Sequence, residues 1–173
     1  MITGIREGIF GEISPYIKKA YPNIERATGI VFGKPFLENI LSPGTAYFSS
    51  EMPGIAMTVF RSQLPEKVVE FAQAMQNAMF RDGIELSVLE NYRPLAEQFG
   101  LPGDDFIAAL QSDENRYETL LEFQTVANWG VTEFPSVLLK PAHEEHYYMI
   151  ARGFTPLEKM QEIISKVIPE LDV

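Results

Sequence analysis

The stretch Trp129-Gly-Val-Thr-Glu-Phe-Pro-Ser-Val-Leu-Leu139 contains the features that decide how the C-terminal third of this sequence folds. Gly130 is typical of a helix end, because glycine adopts the left-handed conformation that stops a helix. Pro135 opens an apolar run, a place where a strand tolerates a residue without a backbone N–H. A trans Phe134–Pro135 bond would open an ordinary edge strand. A cis bond would turn the backbone outward and leave Glu133 and Phe134 available to an extended peptide. The residues alone leave both isomers open.

Two apolar runs on either side of a turn predict a β-hairpin. Ser136–Lys140 and His146–Arg152 have strand composition, and Pro141–Glu145 lies between them. Thr155-Pro-Leu-Glu158 is a capping box with proline at the first helical position, and it opens an amphipathic helix that ends near Pro169. Two strands alone form a poor core. Either the glycine-rich N-terminus supplies a further strand, or the rest of the sheet is missing or comes from another chain.

Upstream of the hairpin, over about residues 50–130, apolar residues recur at helical spacing and predict about five helices. One helix opens at Pro65 and buries a stripe from Val68 to Phe80. The longest begins near Ser112 or Asp113, reaches Trp129-Gly130 and is expected to bury one apolar face. That expected buried face consists of Tyr117, Leu120, Leu121, Phe123 and Val126. Together with the hairpin, these helices predict the α+β class.

The first 50 residues are rich in glycine and proline and indicate irregular structure with short helices. Ser14-Pro15 predicts a helix start, with serine as the cap and proline at the first helical position. That helix is expected to run to about Ala20 and to stop before Tyr21-Pro22. Phe32 and Phe36 fall in a predicted loop, where we interpret them as packing onto the core rather than contacting a ligand.

Charge and composition exclude several classes of function. The 173 residues carry a formal net charge of −10, which argues against nucleic acid and against an anionic membrane surface. No cysteine is present, so the sequence offers neither a disulfide framework nor a thiolate metal site. His143 and His146 are three residues apart in a turn, whereas the zinc protease motif needs two histidines four apart on a helix. We expect no metal, no cofactor and no catalytic residue.

Several segments together resemble one family. Val131-Thr-Glu-Phe-Pro-Ser136, followed by Val137-Leu-Leu139, resembles the cis-proline segment of thioredoxin-fold proteins. Phe123–Gly130 resembles the helix that precedes that segment. Tyr147–Pro156 resembles the final strand and helix start of the DsbA-like, protein-disulfide isomerase branch. Phe48–Pro53 and Phe80–Gly83 resemble parts of the helical insert of that branch.

The resemblance covers about residues 1–168 and implies a thioredoxin-like α+β fold in a single domain, 1–173. The helical insert would occupy about 50–130, and the cis-proline hairpin with the last helix about 131–169. Members of the branch begin with a strand, a Cys-x-x-Cys helix and a second strand, none of which precedes Met1. Ile2-Thr-Gly-Ile5 resembles the segment just after that second strand. We therefore expect an incomplete, truncated version of the fold.

What the resemblance implies for this chain is a docking surface rather than a reaction. In relatives the residues at Thr132, Glu133, Phe134 and Pro135 lie beside the dithiol and pair with the backbone of the substrate. The thiolate is the nucleophile of disulfide exchange, so a chain without cysteine cannot perform that reaction by itself. The first hypothesis is accordingly a redox-inactive relative of the disulfide oxidoreductases.

Two other hypotheses stay open. The chain could be a non-catalytic peptide-binding or assembly module, in which an extended peptide, a partner protein or a second copy of the chain completes the sheet at the cis-proline edge. It could also be a relative of glutathione-using isomerases on the same fold. In each case we expect a cytoplasmic protein, with the periplasm left open.

Overall fold

The computed structural model describes residues 5–141 and 146–171. The elements in chain order are β1 (Glu7–Ile9), α1 (Phe10–Thr28), a π-helical segment (Phe36–Leu41), β2 (Tyr47–Ser49), α2 (Glu51–Gln63), a 3-10 turn (Pro65–Lys67), α3 (Val68–Phe80), a 3-10 turn (Leu89–Tyr92), α4 (Arg93–Glu97), α5 (Gly103–Leu110), α6 (Asp113–Asn128), β3 (Ser136–Leu139), β4 (Tyr148–Arg152) and α7 (Leu157–Leu171). Met1–Gly4 and most of the expected Pro141–Glu145 turn, with His143, lie outside the described residues.

The strands form two small antiparallel sheets. The predicted hairpin is confirmed, with Ser136 opposite Arg152 and Leu139 opposite Tyr148. The N-terminal segment does supply a strand, β1, but it pairs with β2 in a sheet of its own, with Gly8 opposite Phe48. Helices dominate the rest of the described chain, so the α+β class is confirmed.

The chain divides into two compact units. Ile5–Glu122 forms the larger one, and the described residues from Phe123 onward form the smaller one. Helix α6 crosses the boundary between them in sequence. The larger unit contains β1, β2 and helices α1 to α5, and the smaller one contains the β3–β4 hairpin and α7. None of the helices in the described residues is long and apolar enough to span a membrane.

Aromatic rings fill the centre of the larger unit. The ring of Phe60 on α2 stacks on that of Phe71 on α3, with centroids 4.0 Å apart and an interplanar angle of 6°. The rings of Phe99 and Phe106 meet Phe71 edge-on. Tyr92 is fully buried, and its hydroxyl donates to the carbonyl of Leu86 at 2.7 Å. Burial raises the pKa of this phenol, which is held neutral in an apolar site.

A second apolar cluster lies beneath α1. Its buried members are Phe10, Phe36, Ile40, Leu41 and Ala46. Phe36 is fully buried, and the ring of Phe32 lies 5.8 Å from it, so the interpretation of these two phenylalanines as core-packing residues is confirmed.

Helix α1 differs from the expectation of a short helix that starts at Ser14. It begins at Phe10 and continues to Thr28, through Pro15 and Pro22. Ser14 is an interior, buried residue, and its hydroxyl donates to the carbonyl of Leu41 at 3.0 Å instead of capping a helix. Each internal proline removes one intrahelical hydrogen bond. The packing of the apolar face of α1 overrides that local preference.

The predicted buried face of α6 is wrong in its first half, where Leu120 is exposed, whereas Phe123 and Val126 are half-buried. Tyr117 is 63% exposed and Leu121 is 44% exposed, and Thr119 is the buried residue of this helix. Thr119 donates to the carbonyl of Asn115 at 2.8 Å and lies 2.9 Å from the hydroxyl of Thr58 on α2. Because a hydroxyl has one hydrogen, Thr58 is the donor to Thr119. A polar pair therefore joins α6 to α2 where apolar packing was expected.

Candidate functional site

The loop between α6 and β3 contains the four residues singled out in the sequence. Gly130 ends α6 in the left-handed conformation, with φ 71°, and its N–H donates to the carbonyl of Ala127 at 3.0 Å. Val131 then turns inward and is buried. This helix end and the buried valine fix the start of the loop, which continues through Thr132, Glu133, Phe134 and Pro135 to β3.

Two hydrogen bonds fix the other end of the loop. The hydroxyl of Ser136 donates to the carbonyl of Glu133 at 2.7 Å. The N–H of Gly153, just past β4, donates to the carbonyl of Pro135 at 2.8 Å. The Phe134–Pro135 peptide bond is cis, one of the two isomers that the sequence left open.

The side chains of this loop face solvent. Thr132, Glu133, Phe134 and Pro135 are all exposed, and the ring of Phe134 is 56% accessible. Hydrogen bonds already order the backbone of this loop. An exposed phenylalanine ring on such a backbone can therefore be buried against a partner with little loss of conformational entropy. The structure therefore presents the four residues together as one surface.

Two residues of this surface were not identified from the sequence. Arg152, at the end of β4, places its Nε 3.8 Å from a carboxylate oxygen of Glu133. Phe154 is 58% exposed and follows Gly153, which is hydrogen-bonded to Pro135, so Phe134 and Phe154 lie at the same end of the hairpin. Knowledge of the hairpin register, in which Ser136 lies opposite Arg152, would have placed Arg152 and the following Phe154 beside the loop. That register contains an irregularity between Val137 and Leu138 that the residue pattern does not show.

Aromatic side chains pack together at the opposite end of the hairpin. The rings of Trp129 and Tyr147 are 4.5 Å apart, and the ammonium group of Lys140 lies 5.7 Å from the centre of the Tyr147 ring. Ile150 and Ala151 of β4 are buried in the same unit. These contacts hold the hairpin in a defined shape.

Backbone N–H and C=O groups are the main groups of the site that can bind a ligand. Within the described residues β3 pairs with β4 alone, so the second edge of β3 carries N–H and C=O groups without a strand partner. In an antiparallel ladder the backbone groups of alternate residues point away from the paired strand. Across residues 5–141 and 146–171 no group of three or more histidine, aspartate or glutamate residues is placed to hold a metal ion.

Comparison with known proteins identifies the fold. The sequence matches no protein-family model and no curated protein. Among solved structures, a proposed protein disulfide isomerase from Nitrosomonas europaea superimposes with a TM-score of 0.82 at 27% identity, over 92% of this chain and 75% of that one. The chain has a DsbA-like thioredoxin fold.

A second neighbour agrees with this DsbA-like fold. The cytosolic disulfide reductase DsbM from Pseudomonas aeruginosa superimposes with a TM-score of 0.74 at 19% identity, over 92% of this chain and 78% of that one. DsbM in a structure with GSH gives a TM-score of 0.66 at 20% identity, over 88% of this chain and 73% of that one. The DsbA-like chain described here has no cysteine in its 173 residues.

Proposed function

We propose that this DsbA-like chain binds extended polypeptide segments along the outer edge of β3 and at Thr132–Pro135, without forming a disulfide with them. One observation carries the proposal: a strand edge that no described residue pairs is continuous with a loop of four exposed residues. The N–H and C=O groups of such an edge can add an extended peptide to the sheet as a further strand.

The side chains around the edge favour a peptide with apolar residues at alternate positions. An extended peptide places every second side chain on the same face. Phe134 and Phe154, both more than half exposed, offer apolar contacts at one end of the hairpin, and Val137 of β3 is also exposed. The Glu133–Arg152 pair offers one charge of each sign beside them.

The absence of cysteine supports the non-redox part of the proposal. Disulfide exchange needs a thiolate that attacks a disulfide sulfur, and no other side chain replaces it. We expect this chain to leave the rate of insulin reduction by dithiothreitol unchanged, and to leave scrambled ribonuclease unrepaired. Catalysis by the purified chain in either assay would contradict this part of the proposal.

The peptide-binding part is tested by selecting extended peptides from a library and measuring their affinity by fluorescence anisotropy. Phe134→Ala should weaken binding by about tenfold, because the fully buried ring of an anchor residue contributes more than 1 kcal/mol. Tyr117→Ala on α6 is the matched control, since it removes another exposed aromatic ring outside the site. Peptides N-methylated at alternate residues should lose binding when the methyl groups replace the ladder donors.

Other outcomes would contradict the placement of a peptide at β3 and Thr132–Pro135. Equal binding by the wild type and Phe134→Ala, or full binding of every N-methylated peptide, would show that the peptide lies elsewhere. A dimer that forms through β3 and resists displacement by peptides would make a second copy of the chain the occupant of the edge. Light scattering with and without peptide distinguishes the two cases.

Glutathione is a second candidate ligand. The observation that favours it is the likeness to DsbM in a structure with GSH, which extends over 88% of this chain. A relative that uses glutathione as the thiol would need no cysteine of its own. Calorimetric titration with reduced glutathione tests this function, and the absence of a saturable heat would remove it.

We also propose a cytoplasmic location. The support is the description of DsbM, a structural neighbour, as cytosolic. Fractionation of the source cells should recover the chain with cytoplasmic markers, and recovery with periplasmic markers would contradict the proposal.

A further inference from the structure

Helix α6 buries a polar side and exposes an apolar one over residues 113–122, the part of the helix that belongs to the larger unit. Its buried residue is Thr119. Asn115, one turn earlier, is half-buried, and its side-chain amide donates to the carbonyl of Ala109 at 2.9 Å. A helix at the surface of a globular protein normally shows the reverse arrangement. Packing within the larger unit therefore does not account for the apolar residues of this helix.

Three large side chains form the exposed side, which we call the outer face of α6. Tyr117 is 63% exposed, Leu121 is 44% exposed and Leu120 is 36% exposed. They are spaced at i, i+3 and i+4, so they are neighbours on one face of the helix. Side chains in such a row form a ridge of the kind that packs into the groove between the side chains of another helix. The shape of the outer face therefore fits a partner helix.

Polar contacts with α2 fix the direction in which the outer face points. The Thr58–Thr119 hydroxyl pair and two ion pairs join α6 to α2. The ion pairs are Arg116 with Glu51, with Nε and Oε1 2.6 Å apart, and Glu122 with Arg61. The three α6 residues in these contacts are spaced three apart, so they share the side of the helix that faces α2. The outer face lies on the other side of α6.

Carboxylates border the outer face on one side. Glu114 and Glu118 are exposed, and they precede Tyr117 and Leu121 by three residues, so each lies next to the outer face. Among the described residues, no lysine or arginine forms an ion pair with either of these two glutamates. Arg116 is the one basic residue in the sequence from 113 to 122, and its guanidinium is engaged with Glu51. The border of the outer face is therefore negative.

From these observations we infer that the outer face of α6 docks a basic amphipathic helix of another protein. The apolar side of that helix covers Tyr117 and Leu120, and its lysine or arginine residues meet Glu114 and Glu118. A second copy of this chain fits less well. A two-fold interface uses the same patch on both partners, so it would bring two sets of the same glutamates together. The inference is independent of peptide binding at β3, because it rests on residues of the larger unit.

The probe is a fluorescein-labelled helical peptide of leucine and lysine, with the leucines on one side, titrated with the full chain and followed by fluorescence anisotropy. Two comparison peptides separate charge from shape. One carries glutamate in place of lysine, and the other has the leucine–lysine composition in a scrambled order that forms no apolar side. The leucine–lysine helix should bind about tenfold more tightly than either comparison peptide, because it alone of the three complements both the apolar ridge and its acidic border.

Variants test whether the peptide lies on α6. Tyr117→Ala should weaken binding by about tenfold, because a tyrosine at the centre of an interface is a typical anchor. Tyr16→Ala is the matched control and should bind like the wild type, since Tyr16 on α1 is another exposed tyrosine of the larger unit. Glu114→Lys/Glu118→Lys should reverse the preference in favour of the leucine–glutamate helix. All of these side chains are exposed, so the circular dichroism spectrum of each variant should match that of the wild type.

Several results would overturn the inference. Equal binding by the wild type and Tyr117→Ala would place the helix elsewhere. Equal binding of the scrambled peptide would show attraction by charge without docking on an apolar face. A preference for lysine that persists in Glu114→Lys/Glu118→Lys would exclude these glutamates from recognition. A wild-type dimer in light scattering that becomes a monomer in Tyr117→Ala would make a second copy of the chain the occupant of the outer face.

Discussion

The buried hydroxyl groups of Thr58 on α2 and Thr119 on α6 should differ in how much their loss lowers stability, because their hydrogen bonds run in one direction. Thr119 donates to the carbonyl of Asn115, and Thr58 donates to Thr119. Thr119→Val therefore removes the partner of a buried donor, because Thr58 is 3% exposed. A buried donor left without a partner costs about 1–3 kcal/mol. Thr58→Val leaves Thr119 with its bond to Asn115, so we expect a cost below about 1 kcal/mol.

The double variant distinguishes this reasoning from a simple loss of contacts. When both hydroxyls are replaced by methyl groups of similar shape, no donor stays unpaired, and the net effect should approach zero. Thr58→Val/Thr119→Val should therefore be more stable than Thr119→Val alone, with a coupling of about 1 kcal/mol or more.

The assay is urea unfolding followed by far-ultraviolet circular dichroism, with the midpoint and slope compared among the wild type, both single variants and the double variant. Equal slopes show that the variants unfold from the same kind of native state. If the double variant loses the sum of the two single losses, the directional arrangement of the two hydroxyls is wrong.

Two further expectations follow from glycine packing and from a charged cluster. A Cβ at Gly33 would lie 1.8 Å from the backbone oxygen of Arg81, so Gly33→Ala should lower the free energy of unfolding by about 3 kcal/mol. Gly29 lies in open space but has φ +74°, so Gly29→Ala should lower it by only about 1 kcal/mol. Equal midpoints in urea would contradict the close approach. On α7, hydrogen bonds and charges, chiefly from Lys166, lower the pKa of Glu162 from 4.5 to about 2. The stabilising contribution of the Glu162 carboxylate is therefore complete above about pH 4.5 and is lost as the pH falls towards 2. A carbon-13 titration of this carboxyl should show that low pKa and its rise in Lys166→Met, and an ordinary pKa in the wild type would contradict the ion-pair geometry.

Local patterns in the sequence predicted much of the C-terminal part of the fold. The hairpin and the last helix follow from strand composition and a capping box. The structure places the two strands at Ser136–Leu139 and Tyr148–Arg152 and the helix at Leu157–Leu171. Helix α3 was also predicted from its spacing, although Val69, which was assigned to the buried stripe, is 75% exposed. Periodicity identifies a helix more reliably than it identifies the face that the rest of the chain covers.

Tertiary contacts explain the main errors. Pro15 and Pro22 indicated the start and the end of a short helix, but both lie inside α1, whose face buries Phe10. The apolar residues of α6 indicated a buried face, yet Thr119 is the buried residue of this helix and Tyr117 and Leu121 are exposed. Neither outcome can be read from neighbouring residues, because each depends on segments far away along the chain.

Only one segment of the candidate site was predicted from the sequence. Thr132–Pro135 stood out because the segment is contiguous and carries a proline at the entrance to a strand. Arg152 and Phe154 did not, because they join the surface through the hairpin register and through the bond from Gly153 to Pro135.

Amide hydrogen exchange on the chain with and without a bound peptide measures directly whether β3 accepts a further strand. We expect the peptide to slow exchange in residues 136–139 and at Phe134, because N–H groups at the outer edge of β3 become donors to the peptide backbone. The amides of α3 should exchange at the same rate in both states. A bound peptide that leaves exchange in residues 132–139 unchanged while protecting another segment would contradict peptide binding at the edge of β3.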